Sequence, residues 1–348
     1  MATTVVGLDI GSESLRGVEL KHAKKSQPTV VRYHEVPLPP GAVKSGEVVE
    51  VHTVAAALKH LWSTAGFGTK KVVLGMGNPR VLVRDLTVAR LSQKEIRQSL
   101  AFQVQEMLPV PVAEALLDFY PVSEGQSDAG PVLHGLLVAA VKDAVNANLA
   151  AVQLAGLTPL EVDLIPFALN RVLRRDATAL GTVALVDVGA NTTNVVITAD
   201  GVPQFVRIIP AGGADVTARL MSGLDMTADQ AESSKRRLNM ASERVEGSHS
   251  EAVAIVRESS AELLNSLRNT LRYYSTTRQG GAIDRVVVSG RGARLAGFGE
   301  ALAEFTGVPV QEADPFSTLT VARNAHRADD VTTDGMTVAL GLALGSAA

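Results

Sequence analysis

The chain has 348 residues, 33 Lys and Arg against 36 Asp and Glu, 46% hydrophobic residues and no cysteine. This length and composition allow two or more packed lobes, exclude disulfides and thiolate metal sites, and argue against a disordered chain or a dedicated basic nucleic-acid binder. No stretch sustains the roughly 18 apolar residues of a spanning helix, and Asp9 interrupts the N-terminal apolar run against a signal peptide, so a soluble cytoplasmic protein is expected.

Val5–Ile10 reads as a strand, Gly11-Ser12-Glu13-Ser14 as a turn, and Leu15–Leu20 and Thr29–Val36 as two further strands. A helix follows with Val54, Leu58, Leu61 and Trp62 on one face and Gly66 suited to its cap; Lys71–Gly75 is a strand. Next comes a block that opens with a strand, Arg80–Val88. Ser92-Gln93-Lys94-Glu95 is a capping box before a helix with Ile96, Leu100, Val104 and Met107 on one face, ended by Pro109 and Pro111. Phe119–Ser123 is strand-like, Glu124–Gly130 a flexible polar loop and Leu133–Val141 a strand; a helix carrying Val145, Leu149 and Val152 stops at Gly156. Pro159–Leu164 and a helix over Pro166–Arg174 follow.

Thr182–Ile209 then repeats the opening order of strand, turn, strand, strand, and a helix pattern follows at Val216, Leu220 and Met221. Both copies place Asp-apolar-Gly between the first and second strands, which implies two related halves. The second half adds a capping box at Thr227–Gln230, a polar loop over Asn239–Ser248, and a long helix whose stripe is Val253, Val256, Leu263, Leu267, Leu271 and Tyr274. A strand over Arg285–Val288, a helix ending near Thr306 and an apolar helix over Gly335–Leu344 complete the pattern.

Three strand-to-turn junctions carry the chemistry. In Asp9-Ile10-Gly11-Ser12-Glu13-Ser14 the glycine admits close approach, successive N–H groups form an anion nest, the Ser12 and Ser14 hydroxyls add donors, and Asp9 can hold water around magnesium. An ordinary capped turn is the competing reading. Asp187-Val188-Gly189-Ala190-Asn191-Thr192-Thr193 repeats that physics, so two facing copies would clamp a phosphate chain with Asp9 and Asp187 near the metal. The third, Ser289-Gly290-Arg291-Gly292, lacks the further glycine of a dinucleotide fold at Leu295 and comes late in the chain.

These three motifs, in this order, resemble the actin-like ATPase superfamily. The resemblance implies an α/β, ribonuclease H-like actin fold of two duplicated lobes with a small inserted α/β subdomain. It makes Asp9–Arg16 and Asp187–Thr193 the phosphate loops and Ser289–Leu295 the adenosine loop. Gly212 and Gly213 match the glycine pair after the second meander. Glu232 and Lys235 match a pair that embraces ribose and adenine, although they also read as a helix-surface ion pair. Two positions depart from the pattern: Arg291 where Gly is usual, and Arg16 where Lys is usual. Asn170 lies in the joining helix, where relatives often carry an acid or amide that faces the attacking water.

The inserted block, with Glu106-Met107-Leu108-Pro109-Val110-Pro111 and Leu117-Asp118-Phe119, then Ala155–Thr158, Asp314-Pro315-Phe316 and Gly341–Leu344, resembles the PilM family of type IV pilus assembly proteins over nearly the whole chain. That resemblance implies lobes at 1–79 and 182–335, an insert at 80–157, a return at 158–181 and a closing helix at 336–348. It implies ATP or ADP with Mg2+, hydrolysis at most slow, and a place at the inner membrane held through a partner. The implied partner is the N-terminal cytoplasmic tail of a PilN-like membrane protein, in a groove between the first lobe and the insert. Leu86, Phe102, Leu108, Pro109 and Val110 are the groove candidates, and core packing is the competing reading for each. A filament-forming FtsA-like protein and a small-molecule kinase are the alternative functions.

Overall fold

The computed structural model describes residues 4–345 except 24, 26, 176–179, 241–247, 279–280, 326–332 and 334. The first half begins with β1 (Thr4–Ile10), β2 (Ser14–Lys21) and β3 (Thr29–Pro37), a small hairpin of β4 (Val43–Lys44) and β5 (Glu47–Val48), α1 (Val51–Ala65) and β6 (Lys71–Met76). Gly66 ends α1 in the left-handed region at φ 64°. The insert follows as β7 (Val81–Ala89), α2 (Gln93–Gln103), β8 (Ala115–Ser127) and β9 (Gly130–Val141). Then come α3 (Lys142–Leu154), β10 (Thr158–Leu164) and α4 (Ile165–Leu173).

The second half holds β11 (Thr182–Val188), β12 (Thr193–Ala199), β13 (Val202–Ile209), α5 (Gly213–Leu224), α6 (Ala228–Arg237) and α7 (Ser248–Thr277). It continues with β14 (Arg285–Ser289), α8 (Phe298–Thr306), β15 (Val310–Glu312), β16 (Thr320–Val321) and α9 (Thr337–Gly345). Most of the polar loop expected at Asn239–Ser248 lies outside the described residues.

The repeat is visible in the sheets. One has the order β10-β6-β1-β2-β3-β16 and the other β13-β12-β11-β14-β15. In both, an antiparallel meander is flanked on its first strand by two parallel strands. Each sheet packs one face on its own helices: α1 and α3 in the first half, α5, α7 and α8 in the second. The other faces share a central core with α4 and α9, in which Val73, Leu169, Leu340 and Leu342 meet Leu185, Val196 and Val287. Every residue of α9 from Thr337 to Gly345 is buried, and each large apolar side chain there contributes roughly 1.5–3 kcal/mol. Gly341 lets α9 lie on α4, since a Cβ there would stand 2.0 Å from the Ala168 carbonyl oxygen.

Two local expectations change. The segment Glu124–Gly130 is not a loop: β8 continues to Ser127, with Gly125 opposite Val132 and Ser127 opposite Gly130. Ladder pairing with β9 outweighs the polar composition, because that end of the hairpin faces water. Pro109 and Pro111 do not end α2 either; it stops at Gln103, and Gln105–Met107 tightens into a short 3-10 turn. The capping box at Ser92 forms as the sequence indicates, with Glu95 bonding back to the Ser92 N–H at 2.9 Å. α3 packs against α1 in the core of the first half, and Phe316 returns to that half edge-on to Tyr33, with ring centroids 5.2 Å apart.

Candidate functional site

The carboxyl ends of β1, β11 and β14 are the ends beyond which open α/β sheets bind ligands. β1 and β11 each deliver an acid and then turn through glycine. Gly11 N–H donates to the Ser14 carbonyl at 3.0 Å, and Gly189 N–H to that of Thr192 at 2.9 Å. Asp9 stands opposite Arg16, and Asp187 opposite Asn194, so the two hairpins share a register.

Arg16 pairs with Asp9 and Glu35, each at 3.2 Å. Burial raises the Asp9 carboxyl, Arg16 opposes that, and Glu35 adds to it. Burial also works against the charge on Arg16, but Asp9 and Glu35 together hold its pKa above the usual value. Asp187 is pushed up to about 6 by burial and then by Asp9, against the pull of Ser289 and Arg16.

β14 ends in the third junction. Gly290 sits at φ 86°, and a Cβ there would stand 2.4 Å from the Val188 carbonyl oxygen. A Cβ on Gly212 would stand 2.5 Å from the carbonyl oxygens of Gly189 and Ala190, and Gly213 N–H donates to Gly189 at 2.9 Å. The second hairpin, the glycine pair and the Ser289–Leu295 loop therefore stack backbone on backbone. Lys235 donates to the Gly213 carbonyl at 3.1 Å and to the Thr217 hydroxyl at 2.8 Å, and pairs with Glu232. Burial opposes the charge on Glu232, yet its bonds with Lys235, Thr217 and Arg236 hold its carboxyl below the usual range. Glu232 and Lys235 thus belong to the junction and are more than a surface pair. A cavity of about 40 Å³ is bordered by Gly212, Gly213, Ser260 and Gly292.

Among the proposed donors, Ser12, Asn191 and Thr192 are half-buried in the turns. The Ser14 hydroxyl is buried with no hydrogen-bond partner. Thr193 is committed elsewhere, because its hydroxyl donates to the Ala211 carbonyl at 2.8 Å. Arg291 reaches across to Glu35 on β3. The donor set of carboxylates, hydroxyls and backbone N–H groups suits a hard cation with a phosphate chain. Among the described residues no group of three or more His, Cys, Asp and Glu could hold a metal. A magnesium ion here would therefore need phosphate oxygens beside Asp9 and Asp187. The orphaned Ser14 hydroxyl and the glycine turns fit such a ligand.

Asn170 needs correction as a catalytic residue. Its amide donates to the Gly201 carbonyl at 3.0 Å, in the turn after β12. That turn is separated from Thr193 by the length of the strand, roughly 20 Å at 3.3 Å per residue. The first turn of α4, Ile165-Pro166-Phe167-Ala168, carries no acid or amide. Sequence reasoning missed Glu35, although its place on β3 directly opposite Arg16 was readable once the meander was paired. It also missed Ser260, whose buried hydroxyl has no partner and which interrupts the apolar stripe of α7.

The groove candidates separate. Phe102 on α2 is 92% exposed, so it is not core. Leu86 and Leu108 pack half-buried against Val88, Ile96 and Leu100, while Pro109 is exposed and Val110 half-buried after α2. A cavity of about 380 Å³ lies between the insert and the second half, bordered by Asp85, Thr87, His134, Gln204 and Arg278. Of the five candidates only Leu86 borders it.

A structure of a PilM–PilN type IV pilus biogenesis complex matches at TM-score 0.86 and 24% identity, over 100% of both chains. MreB5 of Spiroplasma citri bound to AMPPNP matches at TM-score 0.55 and 11% identity, over 90% of this chain and 92% of that one. These likenesses identify the fold as actin-like. Cell division protein FtsA of Bacillus subtilis is 26% identical over an alignment of 227 positions that covers 59% of this chain and 51% of FtsA, so the chain spans about half the length of that relative. The family model described as "Type IV pilus assembly protein PilM" matches residues 7–347, and the chain belongs to that family.

Proposed function

We propose that this chain is a nucleotide-binding scaffold of a type IV pilus assembly complex. The observation that carries the nucleotide reading is that two buried acids, each on a glycine hairpin, lie near enough for Asp9 to raise Asp187, with a third glycine junction packed on the second hairpin and a buried Ser14 hydroxyl left for a ligand. Asp9 and Asp187 would hold Mg2+ through its phosphate-bound form, and the turn N–H groups would hold the phosphates. Glu232, Lys235, Gly290 and Gly292 would hold the nucleoside side. Magnesium would supply charge neutralisation for the phosphates. The apolar first turn of α4 supports slow hydrolysis at most, because nothing in it can orient an attacking water.

The partner is the N-terminal cytoplasmic tail of a PilN-like membrane protein, and it would bring the scaffold to the inner membrane. A solvent-exposed Phe102, beside Leu108, Pro109 and Val110, supports a peptide-binding surface at the end of α2. Calorimetric titration of that tail tests it. Phe102→Ala should abolish or sharply weaken binding while leaving stability within about 0.5 kcal/mol. Titration without nucleotide, with ADP and with ATP tests nucleotide as the switch, and equal affinities in all three would remove it. Asp9→Ala and Asp187→Ala should each lose nucleotide; retention in both would make the turns structural. α9 is buried along its whole length between α4 and β1, so that helix itself is not free to act as an FtsA-like membrane helix.

A further inference from the structure

Arg16 and Arg291 are the two departures from the superfamily pattern, and one carboxylate joins them. Asp9, Arg16 and Glu35 stand opposite one another on β1, β2 and β3. Directly opposed residues on neighbouring strands share a face of the sheet, so the three form an acid–base–acid row. Arg291, from the glycine junction of the other half, adds a fourth and alternating charge by pairing with Glu35. The row therefore runs from the first phosphate hairpin to the adenosine junction of the other half. Glu35 has only 9% of its side chain exposed, against 48% for Arg291. The fixed post is thus in the first half and the swinging arm in the second.

We propose that Glu35 and Arg291 form a clasp across the cleft, which nucleotide must open to enter and which slows its escape. This deepens the nucleotide reading and rests on it. On that reading, a nucleotide between the first hairpin and the Ser289–Leu295 loop would lie on the line joining these two side chains. Its phosphates also compete with Glu35 for Arg16, because both are anions seeking the same guanidinium. Burial, and then the neighbouring Arg16 and Arg236, push Arg291 below the usual arginine range, whereas Glu35 and Glu13 pull it back. The arm therefore sits among charges of both signs, where among the described residues its ion pair is with Glu35, and a glycine in its place would have no arm to close.

The test is stopped-flow measurement of fluorescent ATP association and release by the full chain, for the native protein, Arg291→Gly, Arg291→Lys and Glu35→Gln. Arg291→Gly should speed both entry and release by roughly three- to fivefold, the range of a partly exposed ion pair, and so leave affinity nearly constant. Arg291→Lys should restore part of the slowing. Raising salt should speed release more in the native protein than in Arg291→Gly, because screening weakens the clasp in addition to the phosphate contacts that both share. Glu35→Gln should also speed exchange, with an added loss of affinity because it releases Arg16. Unchanged rates in Arg291→Gly, with nucleotide bound normally, would overturn the clasp and leave the nucleotide reading standing. A native protein that binds no nucleotide would overturn both. A change in affinity carried by one rate alone would mark Arg291 as a simple contact residue and overturn the gate.

Discussion

At the first hairpin the residue opposite the acid is Arg16, which pairs with Asp9 at 3.2 Å; at the second it is Asn194, whose Oδ1 is buried without a partner. The backbones are otherwise the same, down to the glycine N–H bond of 3.0 Å in one and 2.9 Å in the other. The first hairpin thus neutralises its own carboxylate. The second leaves Asp187 buried beside a like charge, with its pKa pushed up to about 6. A duplicated fold has kept geometry in both halves and divided the electrostatics between them: one half carries its own cation and the other is poised to receive one.

The largest expected effect comes from breaking the first half of that contrast. Arg16→Ala leaves Asp9 and Glu35 facing each other with no cation between them, and loss of one partner from a buried ion pair costs about 3–5 kcal/mol. Urea denaturation should show that loss. Arg16→Lys should recover part of it and less than all, since one ammonium does not bridge two carboxylates as a guanidinium does.

Asp187 should respond in the opposite sense. Its folded pKa of about 6 lies above the ordinary aspartate value of 3.8, so the folded state resists ionising it. The penalty is absent where both states are protonated, grows as pH rises from about 4 to 6, and is constant above that. Asp187→Asn should therefore stabilise the nucleotide-free protein above pH 6 by up to roughly 3 kcal/mol. The gain should vanish below pH 4. Denaturation across that pH range checks it; destabilisation at pH 7 would mean that Asp187 is held by a cation of the protein itself.

Gly290→Ala tests how tightly the third junction is tied to the second hairpin. The φ of 86° and the 2.4 Å approach to the Val188 carbonyl leave no room for a methyl group. A loss of roughly 1–3 kcal/mol is expected, with weaker nucleotide binding. Gly41→Ala shares a positive φ of 85° but meets nothing within 4 Å, so it should cost less.

Much of this was legible in the sequence. The repeat of Asp-apolar-Gly gave both hairpins, because a strand that must end at a glycine turn leaves the same signature twice. The long α7 was readable from its apolar stripe, and Val253, Val256 and Leu267 are buried as that stripe requires. What local pattern could not supply was partnership across the chain. Arg291 is separated from Glu35 by 256 positions, and only the packing of the halves brings them together. Asn170 misled for the related reason that a polar residue in a joining helix has two ends of the cleft to serve. Its amide chose the Gly201 turn. The hairpin over Glu124–Gly130 shows the reverse, where ladder pairing overruled a composition suited to a loop.

The smallest expected effect sharpens the comparison most finely. Thr193 and Leu15 occupy equivalent places, opposite Val188 and Ile10. Leu15 is a fully buried side chain, whereas the Thr193 hydroxyl donates to Ala211 at 2.8 Å and so ties the second hairpin to the glycine pair. Thr193→Val keeps the shape, removes that bond and leaves the Ala211 carbonyl without its donor. Stability should fall by about 1 kcal/mol, while nucleotide affinity changes little. Ser14→Ala should do the reverse, because its buried hydroxyl has no partner to lose and only a ligand to miss. If instead Thr193→Val lost nucleotide and Ser14→Ala did not, the donor roles of the two hairpins would have to be exchanged, and the phosphates would lie nearer to the second half.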